Sequence, residues 1–224
     1  MTKDLVIVHL YPDLLRTYGD RGNVIALQRH GEWRGLAVEV RGVSCGERLP
    51  RRCHVIVAGG GSDRVQQVVA SDLVDRRTEL CEAAARGSIL LGICGGYQLL
   101  GRSYVTADGV VIEGAGLLDV TTVPGPGRIT GWVRSRVSFR GQDFELSGFE
   151  NHGGRTRLGP SASPLGSVPR GSGNNGEDGT EGAVQGSVIG TYLHGPVLPT
   201  NPEFTDALVE DVIRARERDG SEPP

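Results

Sequence analysis

The chain has 224 residues, 38% of them apolar, and a formal charge of −3. That is enough apolar material for one large domain with a sizeable core, and acidic and basic residues are interspersed, which excludes a basic stripe for nucleic acid. No stretch reaches the roughly 18 consecutive apolar residues of a membrane span, and the short apolar N-terminus does not read as a secretory signal, so the expectation is a single soluble, cytoplasmic domain over 1–224. Cys45, Cys53, Cys81 and Cys94 show no C-x-x-C spacing, which argues against a metal site or disulfide framework.

Short apolar strands alternate with helical stretches, the signature of an α/β fold with a doubly wound, mostly parallel sheet. Residues 5–10 read as the first strand, 23–33 as a helix, and 37–43 and 54–58 as strands. Gly59-Gly60-Gly61-Ser62-Asp63 then turns into a helix over 65–86, with Ser62 or Asp63 able to cap it. A phosphate cradle at this glycine triplet calls for a following Gly-Lys-Ser/Thr, which is missing. Strand 88–93 leads into Cys94. Beyond Asp108 the pattern changes to additional antiparallel strands at 110–113, 117–123, 129–139 and 144–150, with Arg140-Gly141 as a hairpin turn. Residues 159–182 are rich in Gly, Ser, Pro and Asn and read as a mobile surface loop. A buried strand around Gly190 ends at His194-Gly-Pro196, an amphipathic helix covers 203–218, and 219–224 is a polar tail.

Two residues in this pattern point to chemistry. Cys94 stands where an apolar strand meets Gly95-Gly96 and a helix start, an arrangement like a nucleophile elbow. A thiol is a weak nucleophile until it ionises, and free N–H groups at a helix start favour the thiolate. The Gly95 N–H can also face a developing oxyanion. His194 is the other strand-end residue of catalytic type, and alongside Cys94 it reads as a general base. Gln98, one helical turn beyond Cys94, can line the pocket and hydrogen-bond a substrate, or else face a loop.

The run Gly92-Ile-Cys94-Gly-Gly-Tyr-Gln98, with Tyr192-Leu-His194-Gly-Pro196 about a hundred residues on, resembles the class I (triad-type) glutamine amidotransferases of the cobyric acid synthase-like branch. In that class a Cys–His pair hydrolyses glutamine and releases ammonia. Tyr18-Gly-Asp20-Arg-Gly-Asn23 and Gly148-Phe-Glu150-Asn-His152-Gly-Gly154 narrow the resemblance to the GatD-type glutaminase subunits of lipid II isoglutaminyl synthase. The resemblance implies the class I amidotransferase fold, with the 59–61 turn (Gly60 or Gly61) adding an N–H to the oxyanion hole. It also implies that Arg128 grips the glutamine α-carboxylate, a task suited to a bidentate guanidinium. It implies a heterodimer with a Mur ligase-like, ATP-dependent partner that amidates the D-glutamate α-carboxylate of lipid II. ATP and any metal would belong to that partner, and this chain would need no cofactor. Pro196 stands where the class carries its orienting glutamate. Asp20 leads as the residue that orients His194, with Glu150 as the alternative. Corrinoid amidation, a thiol hydrolase acting on another amide or ester, and a non-catalytic subunit of the same fold stay open as other readings.

Overall fold

A computed structural model describes residues 4–17 and 19–218; the polar tail 219–224 lies outside the described residues. In chain order the elements are β1 (Leu5–Leu10), α1 (Arg21–Trp33), β2 (Val38–Val43), β3 (Val55–Ala58), α2 (Asp63–Asp75), α3 (Arg77–Ala85), β4 (Ile89–Ile93) and α4 (Gly95–Leu100). There follow β5 (Ser103–Val105), β6 (Val111–Glu113), β7 (Val120–Phe139), β8 (Gln142–Leu158), β9 (Gly166–Arg170), β10 (Thr180–Glu181), β11 (Ala183–Gln185), β12 (Val188–Thr191), α5 (Val197–Thr200) and α6 (Pro202–Arg218).

The first sheet runs β11-β12-β4-β3-β1-β2, parallel throughout except for β11. Every residue of β1, β3, β4 and β12 is buried, as expected for parallel strands covered on both faces. Each fully buried Leu, Ile or Val in these strands contributes roughly 1.5–3 kcal/mol by leaving water. Parallel order also gathers their carboxyl ends along one edge, where the chain carries Gly59–Gly61, Cys94 and His194.

The second sheet runs β10-β9-β7-β5-β6, with β8 paired to β7. Arg140 and Gly141, at φ 51° and 79°, make the turn between β7 and β8, and Phe139 pairs with Gln142. Residues 117–123 and 129–139 do not form two strands: β7 is continuous, with a register shift between Pro124 and Ile129. Proline has no N–H for the ladder, so the Pro-Gly-Pro-Gly segment bulges and carries Arg128 with it. The helix read over 65–86 is likewise broken at Arg76. That side chain turns inward, donating to Asp72 through Nε at 2.7 Å and to the Glu47 carbonyl at 3.0 Å.

The 159–182 segment differs most from its reading as a surface loop. It holds β9 and β10, with β9 hydrogen-bonded to β7, and it buries Asn174 and Asn175. Asn174 Nδ2 donates to Thr180 Oγ1 at 3.0 Å and to the Gly182 carbonyl at 2.9 Å, while Asn175 Nδ2 donates to the Thr156 carbonyl at 3.0 Å. These Asn side chains add to the packing of Leu165, which the segment buries in the core. The two sheets meet at the site edge, where Phe149 of β8 and His194 exchange backbone hydrogen bonds of 3.0 Å each. Among the described residues, no helix is long and apolar enough to cross a membrane.

Candidate active site

Between β4 and α4, Cys94 adopts φ 53° and ψ −104°. A residue with a Cβ adopts such a conformation at a cost of about 1–3 kcal/mol, so its surroundings must impose it. The Cys94 N–H donates to the Thr191 carbonyl at 2.8 Å, and its own carbonyl accepts from Gln98 N–H at 3.1 Å. A Cβ on Gly96 would lie 2.2 Å from the Ala58 carbonyl oxygen, so the helix start touches β3 backbone to backbone. The cysteine is thereby held out over the sheet edge.

Burial first, and then the Asp20 carboxyl, push the Cys94 thiol up to about 12, against the opposing pull of the Gly95 N–H. The helix start does not make a resting thiolate here; desolvation outweighs it, and the sulfur needs a base. β12 runs parallel beside β4 with Thr191 opposite Ile93, so His194 emerges at the same sheet edge as Cys94. Burial first and then Arg128 hold its imidazole down at about 4, neutral at physiological pH and able to accept a proton. Its ring meets the Phe149 ring edge-on at 5.8 Å.

A cavity of about 720 Å³ opens beside the sulfur, lined among others by Cys94, Gly61, Gln98, Arg128, Asn151 and His152. Gly95 packs directly on the glycine turn: a Cβ there would fall 2.8 Å from Gly61 N. The Gly60 N–H is already spent, donating to Asp20 Oδ2 at 2.7 Å, so Gly61 rather than Gly60 is the partner available to Gly95. Arg128 is aimed by Asn151: Nε and Nη2 donate to its Oδ1 at 2.9 and 2.8 Å, and Nη2 also to its carbonyl at 2.9 Å. Gln98 does line the cavity, yet both ends of its amide are engaged. Oε1 accepts from Gln66 Nε2 at 3.0 Å, and Nε2 donates to Tyr192 Oη at 3.1 Å.

This arrangement of elbow cysteine, strand-end histidine and pocket arginine coincides with a match of residues 6–202 to the CobB/CobQ-like glutamine amidotransferase domain. The chain belongs to this family. It is 42% identical to the lipid II isoglutaminyl synthase (glutamine-hydrolyzing) subunit GatD of Staphylococcus aureus (strain N315), covering 97% of this chain and 86% of that protein. The subunit of the same name from Streptococcus pneumoniae (strain ATCC BAA-255 / R6) is 36% identical, with 95% and 82% covered. The cobyric acid synthase of Rhodobacter capsulatus is 34% identical over 68% of this chain but only 32% of its own length. In fold, the chain is similar to the structure of PurLQS from Thermotoga maritima, with a TM-score of 0.63, 20% identity, and 97% and 99% of the two chains covered.

Two carboxyls considered for orienting His194 in this CobB/CobQ-like domain point elsewhere. Asp20 is fully buried; Oδ2 takes the Gly60 N–H, and Oδ1 has no partner among the described residues. It packs under the glycine turn, where a Cβ on Gly59 would lie 2.7 Å from its own Cβ, and burial raises its carboxyl to about 7. Asp20 therefore braces the turn beside Cys94 and makes no hydrogen bond to His194. Glu150 accepts the N–H groups of Ser172 and Gly173 at 2.9 and 2.8 Å, tying the 159–182 segment to β8. Neither carboxyl, nor His194, is among the described residues lining the cavity beside Cys94.

Sequence reasoning passed over three neighbours of this amidotransferase site. His152 lines the cavity, stacks on Tyr192 with centroids 3.7 Å apart, and has Nδ1 at 2.8 Å from the Gly154 carbonyl. That contact requires the proton on Nδ1 and leaves Nε2 as a bare acceptor. Its place in Glu150-Asn-His152, opposite the Arg128 segment, was the available signal. Gln66 carried none, since helix α2 has no pattern that marks it. Glu181 is the third: fully buried, its Oε1 accepts from Thr191 Oγ1 at 2.5 Å and from Tyr192 N–H at 2.8 Å, on the strand end that precedes His194.

Burial raises the Glu181 carboxyl to about 7 in the folded chain. An unfolded glutamate titrates near 4.3, so folding stability from this group is fully present below that value and is lost as pH rises through about 7. The loss is on the order of 4 kcal/mol, at about 1.4 kcal/mol per unit. Glu181→Gln is expected to flatten the decline in Tm between pH 5 and pH 8 relative to the unmodified chain. An unchanged pH dependence in that variant would show that Glu181 stays ionised in the fold.

Proposed function

We propose that this chain is the glutaminase subunit of a lipid II isoglutaminyl synthase. His194 takes the Cys94 proton as the sulfur attacks the glutamine side-chain amide. The tetrahedral oxyanion is stabilised by the N–H groups of Gly95 and Gly61, His194 returns the proton to the amide nitrogen as the C–N bond breaks and ammonia leaves, and water hydrolyses the thioester to release glutamate and the thiol. Asp20 holds the Gly60 turn so that Gly61 keeps its orientation, and Gln98 fixes the wall through Gln66 and Tyr192. Arg128 receives the α-carboxylate. The observation that carries this reading is one cavity holding both the elbow cysteine and an arginine, in a chain similar to GatD subunits over almost its whole length.

The ammonia passes to a Mur ligase-like, ATP-dependent partner that activates the D-glutamate α-carboxylate of lipid II. Ammonia is mostly protonated near neutral pH and ammonium does not attack an acyl phosphate, so a sheltered path between subunits follows from the chemistry. Co-expressed with such a partner, the chain is expected to form a heterodimer that amidates lipid II with ATP and glutamine, read by mass spectrometry of the stem peptide. A complex that amidates a corrinoid and leaves lipid II untouched would transfer the acceptor to the cobyric acid synthase reading. This chain spans only about a third of the cobyric acid synthase of Rhodobacter capsulatus.

Arg128→Ala is expected to raise KM for glutamine about 10- to 100-fold with kcat little changed, because a carboxylate grip serves ground state and transition state alike. Steady-state kinetics over a wide glutamine range checks this. A loss confined to kcat would assign Arg128 to the reacting atoms instead.

A further inference from the structure

At the edge of the first sheet opposite Cys94, a small cavity of about 110 Å³ lies at the amino-terminal ends of β3 and β4. Its lining includes Arg51, Arg52, His54, Arg86, Ser88 and Arg216, drawn from the loop before β3, the end of α3, the start of β4 and α6, and among the described residues it includes no carboxylate. Four guanidiniums thus converge on a space the size of one small ion. Arg216 is held from outside the cavity by Asp4, with Nη2 to Oδ1 at 3.3 Å, and Arg86 Nη1 stands 3.7 Å from Glu82 on its own helix. Arg51 and Arg52 form no ion pair among the described residues. Asp4 and Glu82 offset only part of the charge of the four arginines, and the positive excess that is left favours an anion in the cavity.

His54 adds a directed donor. The Val6 N–H donates to its Nδ1 at 2.8 Å, so that nitrogen carries a lone pair and the ring proton sits on Nε2. Burial first, then Arg52 and Arg216, hold the imidazole down at about 4, so it stays neutral with that tautomer at physiological pH. A neutral imidazole with its proton on Nε2 and several guanidiniums in one lining suit an oxyanion, which accepts hydrogen bonds on every face and matches forked Arg donors.

We propose that this cavity is an anion site for a single phosphoryl group, either inorganic phosphate or the end of a phosphomonoester. It is separate from the amidotransferase cavity. β3 and β4 begin here and end at Gly59 and Cys94, which puts the two sites roughly 15 Å apart along strands of four and five residues. The proposal does not rest on the glutaminase reading.

The test uses the full chain at fixed ionic strength, titrated with sodium phosphate, glycerol phosphate or sodium chloride, with binding read by calorimetry and by the rise in Tm. Phosphate or glycerol phosphate is expected to give a saturable rise that chloride does not, and the tighter of the two identifies the source. The double variant R52A/R86A, altered at two exposed side chains, is expected to weaken that binding at least tenfold while its Tm without phosphate stays within a few degrees. R51A/R52A provides a second, independent pair should the first fold poorly. R128A, changed in the other cavity, is expected to keep the wild-type affinity. No saturable response beyond chloride, equal affinity in both arginine pairs and wild type, or loss of binding in R128A alone would each overturn the proposal.

Discussion

Cys94→Ala is expected to abolish glutamine hydrolysis, by about 10⁴-fold or more, while the fold survives. Removing the nucleophile of a covalent mechanism leaves only what binding and the oxyanion donors supply. The fold survives because the elbow is imposed by backbone contacts: the Cys94 N–H to Thr191, the Gln98 N–H to Cys94, and the close approach of Gly96 to Ala58. None of these involves the sulfur. Release of glutamate measured alongside thermal unfolding checks both halves. In a complex with the proposed synthetase partner, the same variant should fail with glutamine yet still amidate with high ammonium at alkaline pH, where free ammonia reaches the acceptor from solvent. Substantial glutaminase activity in a normally folded Cys94→Ala chain would refute the thioester mechanism.

His194→Ala carries the next largest effect, an expected loss of about 10²–10⁴-fold in kcat with little change in KM. Its imidazole is held neutral, and the Cys94 thiol, pushed up to about 12, will not ionise without a proton acceptor. His152 is the control, since it is the imidazole that actually lines the cavity. With Nδ1 committed to Gly154 and its ring stacked on Tyr192, it is a wall of the pocket, and His152→Ala is expected to change kcat less than tenfold. Because a histidine held near 4 is unprotonated well below neutrality, kcat/KM should hold down to about pH 5 before its acid limb begins. A collapse in His152→Ala with near-normal rates in His194→Ala would move the base to β8.

Much of this was legible along the chain because the signals are local. The buried runs at 5–10, 54–58 and 88–93 read as parallel strands, since strands covered on both faces need apolar residues without alternation. Cys94 and His194 stood out because each ends such a run beside glycine. Arg140-Gly141 read as a turn for the same local reason, both residues needing positive φ. The strands within 159–182 were not legible because a single buried leucine, Leu165, gives no apolar period, and nothing in the sequence marks polar groups such as Asn174, Asn175 and Glu181 as buried in hydrogen bonds.

By itself the sequence determined the parallel α/β order, the elbow with its cysteine, and the histidine that follows β12, because apolar period, glycine and strand ends are properties of neighbouring residues. Only the tertiary structure decided which groups meet across sequence distances of 23 to 94 residues. It turned Asp20 onto Gly60, left Gly61 as the amide beside Gly95, put Arg128 on a proline-made bulge in the cavity that Cys94 also lines, and made Gln98 part of the wall. It also set burial against the helix start at the thiol. A helix start acts within one turn, whereas desolvation depends on everything packed around the sulfur, and at Cys94 the packing wins.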